Sequence, residues 1–141
     1  MKCQLCENKA ALPQPKLCEE HFINYYEKKV SHALQSSNFK DKKVLIGISG
    51  GKDSSALAYV LSRLSFNLKI SLLFIDLKTQ DCIEHWKNSA MMLARQLKLD
   101  IDVIDLSGYG KTLKDFENHK RPVCSSCGVI KRYLLNKYAY E

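Results

Sequence analysis

Residues 45–61 read LIGISGGKDSSALAYVL: an apolar run, two adjacent glycines, then a run with helical spacing. A strand that ends on glycines and passes directly into a helix is the opening unit of a sheet built by crossovers. It narrows the fold more than any other stretch. The rest of the chain repeats the alternation. VLIGIS (44–49) reads as a buried strand, and Ala56, Leu57, Val60, Leu61 and Leu64 place a helix over 51–65. KISLLFID (69–76) reads as a second strand and IDVIDL (101–106) as a third. Between them, Ile83, Trp86, Ala90, Leu93, Ala94 and Leu97 line one stripe of a helix over 80–98. SGYG (107–110) is a loop, and Val129, Ile130, Tyr133, Leu134 and Tyr138 mark a last helix over 125–139. The expected class is α/β, with parallel strands joined by right-handed crossovers. Uniformly apolar strands imply helices on both faces, a three-layer arrangement. Three strands make a thin sheet, so the free edge of the first strand is expected to be covered by a partner chain or by further chain.

The glycine turn has its own chemistry. Consecutive main-chain N–H groups at a helix start, with the helix dipole behind them, form an anion site suited to phosphate. Gly50 and Gly51 permit unusual backbone angles and close approach. Ser49, Ser54 and Ser55 add hydroxyls, Lys52 a mobile positive charge and Asp53 a carboxylate. The spacing fits neither G-x-x-x-x-G-K-[ST] nor G-x-G-x-x-G, so this is a different cradle.

The cysteines cluster. Cys3, Cys6, Cys18 and His21 follow C-x2-C-x11-C-x2-H, a donor set that fills a tetrahedral zinc shell and leaves no open position. A segment this short builds no core of its own, and a metal can supply its folding free energy. Cys124 and Cys127 form a second C-x-x-C near a helix start, where thiolate is favoured. On spacing alone that pair suits a redox couple, half a zinc site or part of an iron–sulfur site. Cys82 stands alone. The organisation expected is a zinc finger with a linking helix over 1–37 and an α/β domain over 38–141.

Composition sets the remaining limits. The net charge is +7, from 22 Lys and Arg against 15 Asp and Glu, which favours a polyanionic partner such as RNA. No run approaches a membrane span, and MKCQLCENKA carries no apolar signal core, so a cytoplasmic location is expected.

Ser49-Gly50-Gly51-Lys52-Asp53-Ser54 resembles the PP-loop of the ATP pyrophosphatases, whose sheet is of the adenine nucleotide alpha hydrolase type. Those enzymes cleave ATP between the α and β phosphates and adenylate a substrate oxygen. A zinc module, then SGGKDS, then C-S-S-C-G-x-x-K-R is similar to the TtcA/TtuA group of tRNA 2-thiolation enzymes, on the TtuA side. The resemblance runs from Cys3 to Tyr138. It implies ATP on Ser49, Gly50, Gly51, Lys52, Asp53, Ser54 and Ser55, with magnesium, and with Asp76 on the adenosine side. It implies a 4Fe-4S cluster held by Cys124 and Cys127, and catalytic roles for Asp53, Lys52 and Lys131. It also implies tRNA as partner and a carrier protein or sulfide as sulfur donor. Lys111, Lys114, Lys120, Arg121 and Arg132 are candidate phosphate contacts for RNA, and Tyr109 for base stacking.

Members of that group are longer, with a third cluster cysteine beyond the last helix. The chain is therefore expected to be a fragment, one half of a split protein or a degenerate homologue, paired with a second copy or a complementing chain. Three functions follow: a tRNA sulfurtransferase, an ATP- and zinc-binding module complete only within an assembly, or an amide-forming ATP pyrophosphatase. The paired cysteines count against the last.

Overall fold

The computed structural model describes residues 1–77, 83–109 and 123–141, without the side chains of 109 and 123–126. Its elements are α1 (Glu19–Gln35), β1 (Lys43–Gly47), α2 (Lys52–Arg63), β2 (Lys69–Asp76), α3 (Ile83–Leu97), β3 (Asp100–Asp105), a 3-10 turn (Leu106–Tyr109) and α4 (Val123–Tyr140). They form two compact units. One comprises Met1–Lys42 with Arg63–Asn67, the other Lys43–Ser62 with Leu68–Glu141.

In the second unit the three strands are all parallel and β2 is central. Leu72, Leu73 and Phe74 are consecutive and all buried. Successive side chains point to opposite faces, so both faces of β2 are covered. Ala58, Val60 and Leu61 of α2 and Ala90 and Ala94 of α3 are buried as well. The expected covering of both faces fails at β3, where Asp102 and Val103 are exposed. Asp100 and Asp102 put charge on one face, and Val103, on the other, is left uncovered at the edge of the sheet, so neither face of β3 is fully covered. Among the described residues β1 hydrogen-bonds only to β2, and no strand pairs with its outer edge.

α4 lies against several strands. Leu134 joins Leu77 and Leu106 in a buried cluster beyond the ends of β2 and β3, with Ile75, Ile104, Cys127 and Ile130 packed around it. Leu135 touches β1 at Gly47, where an added Cβ would meet its methyl carbons at 3.0 and 3.1 Å. Near the far end of α4, the Tyr138 hydroxyl donates to Asp102 Oδ2 in β3. The SGYG segment is corrected in part. Its first three residues complete a helical turn begun at Leu106, whose buried side chain anchors it; residue 110 lies outside the described residues.

The first unit contains α1 and the cysteine-bearing segment before it. α1 begins at Glu19, inside the module expected over 1–37. Glu19 and Glu20 in the first turn favour that start through the helix dipole, and it puts His21 on the helix. Asp41 N–H donates to Phe66 O at 3.0 Å, and Asn67 Nδ2 to Asp41 Oδ1 at 2.8 Å. These bonds join the segment after α2 to the connector between α1 and β1. No helix among the described residues is long and apolar enough to cross a membrane.

Candidate functional site

Two sites emerge, built by opposite means. The first is made of side chains. A short antiparallel bridge pairs Lys2 with Lys9, and Cys3 N–H donates to Asn8 O at 2.8 Å, folding CQLCEN back on itself. Leu5 N–H points at Cys3 Sγ, 3.4 Å away. Cys18 sits at the N-cap of α1, and His21 follows within the first turn. Sγ of Cys3, Cys6 and Cys18 and one ring nitrogen of His21 all lie within 4.8 Å of one another. Individual separations are 3.6 Å for Cys3–His21, 3.2 Å for Cys18–His21 and 3.7 Å for Cys6–Cys18. A tetrahedron with metal–sulfur bonds of about 2.3 Å and a metal–nitrogen bond of about 2.0 Å has edges of about 3.5–3.8 Å, so the four donors fit such an ion. Cys3 and Cys18 are buried against Leu17, with Cys6 and Phe22 beside them, which shields the donors from water.

The thiols differ. Burial works to raise Cys3, but the main-chain N–H groups of Leu5 and Cys18 and the Cys6 thiol outweigh it, and the group falls to about 6. The main chain at Asn8 pulls Cys6 down, but burial and its two sulfur neighbours win, and that thiol is raised. Removing protons from a sulfur cluster is the work a bound cation does.

The second site is made mostly of main chain. β1 ends at Gly47, Ile48 still donates to Leu73 O at 2.9 Å, and the chain then turns into α2 at Lys52. The turn thus stands at the carboxyl end of a parallel strand, the usual ligand edge of such sheets. Gly50 has φ +78°, a conformation that favours glycine. The hydroxyls tie the turn together. Ser54 Oγ accepts from Ser49 N–H at 3.2 Å, contacts Ser49 Oγ at 3.1 Å and donates to Gly51 O at 3.2 Å. Ser55 Oγ donates to the same carbonyl at 2.8 Å, and Ser49 Oγ accepts from Gly51 N–H at 3.3 Å. The first intrahelical bond of α2 runs from Ser55 N–H to Gly51 O. Lys52, Asp53 and Ser54, ahead of it, have no intrahelical acceptor, as at every helix start. Those N–H groups are the donors an anion would meet.

A cavity of about 120 Å3 opens beside the turn, lined by Gly47, Ile48, Ser49, Leu73, Ile75, Lys131 and Leu135. It brings Lys131 and Ser49 to one space at the strand ends. Lys131 is exposed, and Cys127 precedes it by one helical turn on α4, half-buried against the Leu77, Leu106 and Leu134 cluster. Cys124 lies in the first turn of α4, but its side chain is outside the described residues, as are Cys82, Lys78, Lys111, Lys114, Lys120, Arg121 and the Tyr109 side chain. Among the described residues, the cysteine–histidine set is the one group that could hold a metal. Arg132 is exposed and donates Nε to Gly128 O at 3.3 Å. Asp76 ends β2 and is buried, in register with Asp105 of β3, whose carboxylate accepts from Ser107 N–H at 2.8 Å and Ser107 Oγ at 2.6 Å.

A family model described as a PP-loop domain matches residues 23–122. The chain belongs to the PP-loop domain family. Its sequence is 34% identical to a tRNA-5-methyluridine(54) 2-sulfurtransferase of Pyrococcus horikoshii, over 100% of this chain and 47% of that protein. The same identity holds for the enzyme of that name from Thermotoga maritima, over 49% of its length. Among solved structures, a U34-tRNA thiolase from Methanococcus maripaludis, determined with its 4Fe-4S cluster, superposes with a TM-score of 0.83. That match is at 26% identity and covers 99% of this chain and 50% of the other. An NH3-dependent NAD synthetase from Campylobacter jejuni shares the fold alone, with a TM-score of 0.55 at 20% identity. The chain spans about half the length of the relatives it matches.

Sequence reading missed two contacts around this turn. Leu135 fills the space beside Gly47, and the main chain at Trp86 fills the space beside Gly50. Neither has a local signal, since each joins segments far apart in the chain. A glycine inside an apolar strand run was the one available hint of close approach.

Proposed function

We propose that this chain carries the nucleotide-binding half of an ATP-dependent tRNA uridine 2-thiolation enzyme. The observation that carries the reading is the cavity shared by Ser49 and Lys131, with Cys127 one turn before Lys131 on α4. It sets a candidate phosphate cradle, a mobile cation and a thiol along one edge of the sheet. The names of the relatives, tRNA 2-sulfurtransferases and a tRNA thiolase, agree with that arrangement.

In this reading the triphosphate rests on Ser49, Gly50, Gly51, Lys52, Asp53, Ser54 and Ser55, and Asp76 marks the strand end on the adenosine side. Magnesium, when bound, would neutralise phosphate charge, with Asp53 as the nearest carboxylate of the turn. The O2 atom of a uridine attacks the α phosphorus as N3 gives up its proton. The new O–P bond forms, the α–β bridging bond breaks, and pyrophosphate leaves. Lys52 and Lys131 stabilise the charge that gathers on the phosphoryl oxygens. Hydrosulfide then adds at C2, AMP departs with the former O2, and the proton returns to N3. No atom changes oxidation state, so the exchange of oxygen for sulfur needs no oxidant or reductant. The uridine must leave its stack to be reached.

Cys124 and Cys127 would hold the iron–sulfur cluster, whose chemistry is to present sulfur. Two thiolates on one helix fit part of such a site, and Cys127 packs against the apolar cluster of Leu77, Leu106 and Leu134. Cys3, Cys6, Cys18 and His21 would hold zinc, making residues 1–37 a finger and linking helix, and 38–141 the N-terminal portion of the ATP-binding α/β domain. The partners are tRNA, a sulfur donor that is a carrier protein or sulfide, and a second chain. The location is the cytoplasm.

The test is anaerobic. The chain, reconstituted with iron and sulfide, is supplied with ATP, tRNA and sulfide. Pyrophosphate release that requires tRNA, with 2-thiouridine in the recovered RNA, is the expected result. ATP binding without pyrophosphate release favours the second reading, a module completed by another chain. The edge of β1, which no strand covers among the described residues, speaks for that alternative.

A further inference from the structure

Gly50 is held from outside its own loop. An added Cβ there would lie 2.2 Å from Trp86 O, 2.8 Å from Trp86 C and 2.9 Å from Trp86 Cα. Real Cβ atoms do not sit so close to main chain, so the first turns of α3 and the glycine turn are in direct backbone contact. At Gly51, by contrast, an added Cβ would meet only Ser49 Oγ among the described residues, at 3.4 Å. The two glycines therefore do different things: Gly51 stands clear, and Gly50 is a seat for a helix. Ala90, one turn after Trp86, is fully buried, and Ala94 after it nearly so. Small side chains there let α3 lie close to the sheet, with Trp86 against the turn. Trp86 itself is 39% exposed, and its ring stands edge-on to His85 with centroids 5.5 Å apart.

We infer that α3, through its main chain at Trp86, is the positioning element of the anion-binding turn. It fixes Gly50 at positive φ and so aims the N–H groups that follow. This rests on the nucleotide reading above. The serine hydroxyls tie the turn from within, but its glycines carry the largest backbone entropy, so contact from outside limits it further. The rigid wall that limits it is a helix from a different crossover. Binding of a phosphate-bearing ligand then orders α3 as well as the turn, because neither can shift without the other.

The chain's one tryptophan lies at this contact, which makes it measurable. Amide hydrogen exchange of the wild-type protein, with and without ADP, tests the inference directly. ADP is expected to slow exchange in residues 49–55 and, by about threefold or more, in the Trp86–Ala90 turn of α3. Protection confined to the loop would overturn the inference. Protection in neither region would instead remove the nucleotide reading, so the two failures are distinct. A helper variant, Ala90→Val, adds bulk beneath α3. It is expected to shift Trp86 emission and weaken ADP binding about tenfold, while zinc content and far-UV circular dichroism stay at wild-type levels. Shifted emission with unchanged ADP affinity would also refute the positioning role.

Discussion

The metal-ligand knot and the glycine turn are both small polar sites, yet they are specified differently. The knot takes all four donors from the first 21 residues, and each donor is a side chain with its own chemistry. Its ligands meet because a tight reversal and the first turn of α1 bring them together. The turn takes its donors from main chain, which every sequence possesses, and it acts only because of what surrounds it. Trp86 seats Gly50, Leu135 fills the space at Gly47, and Lys131 arrives from α4. A side-chain site can be complete within one segment, whereas a main-chain site is assembled by the whole sheet.

That contrast can be broken by experiment. The largest effect belongs to the knot. Cys18→Ser, or a strong chelator, should reduce zinc from about one ion per chain to near zero and remove exchange protection from residues 1–22. ADP affinity should change less than about threefold, because the knot and the turn belong to separate compact units and share no residue. A parallel collapse of ADP binding would erase the distinction. Next come the cations. Lys131→Ala and Lys52→Ala should each lower pyrophosphate release about 100-fold, and an unchanged rate would remove either from the charge-stabilising role. Lys131→Ala should leave ADP binding within about threefold, while Lys52→Ala weakens it about tenfold.

Gly50→Ala and Gly51→Ala sharpen the account of the turn itself. The first faces both positive φ and the Trp86 carbonyl, and should weaken ADP binding more than about tenfold. Gly51→Ala should cost about threefold or less, since its Cβ meets only a serine hydroxyl. Calorimetric titration with ADP ranks the two, and a reversed order would contradict the contacts described.

The smallest effect lies at the other end of the sheet. Tyr138 donates to Asp102, and that hydrogen bond, with some burial and the charges of Asp102 and Glu141, raises the phenol above its usual range. A raised acid of this kind contributes stability below its unfolded value near 10, and loses it as pH rises through the higher folded value. Tyr138→Phe should cost about 0.5–1 kcal/mol at neutral pH, and should flatten the fall in stability above pH 10. Denaturant titrations at pH 7 and in the alkaline range would show it.

Much of the fold was legible because it rests on local pattern. The range of β2 matches KISLLFID to the residue, and the helices fall where apolar spacing put them. Helix starts were less legible. α1 begins at Glu19 because acidic residues suit a first turn, an effect that apolar periodicity does not register. β3 was misread as buried on both faces because Ile101, Val103 and Ile104 outweigh the aspartates in a hydropathy reading, whereas its edge position decides exposure.

The sequence by itself determined the donor chemistry: three thiols and an imidazole at metal-binding spacing, and SGGKDS after an apolar strand. Those are short-range facts, carried by neighbours along the chain. Only the tertiary structure decided that Lys131 shares a cavity with Ser49, that Gly50 rests on Trp86, and that β2 stands between β1 and β3. Such contacts depend on which helices close over which strands, and close packing fixes that for the sheet as a whole, not for any segment alone.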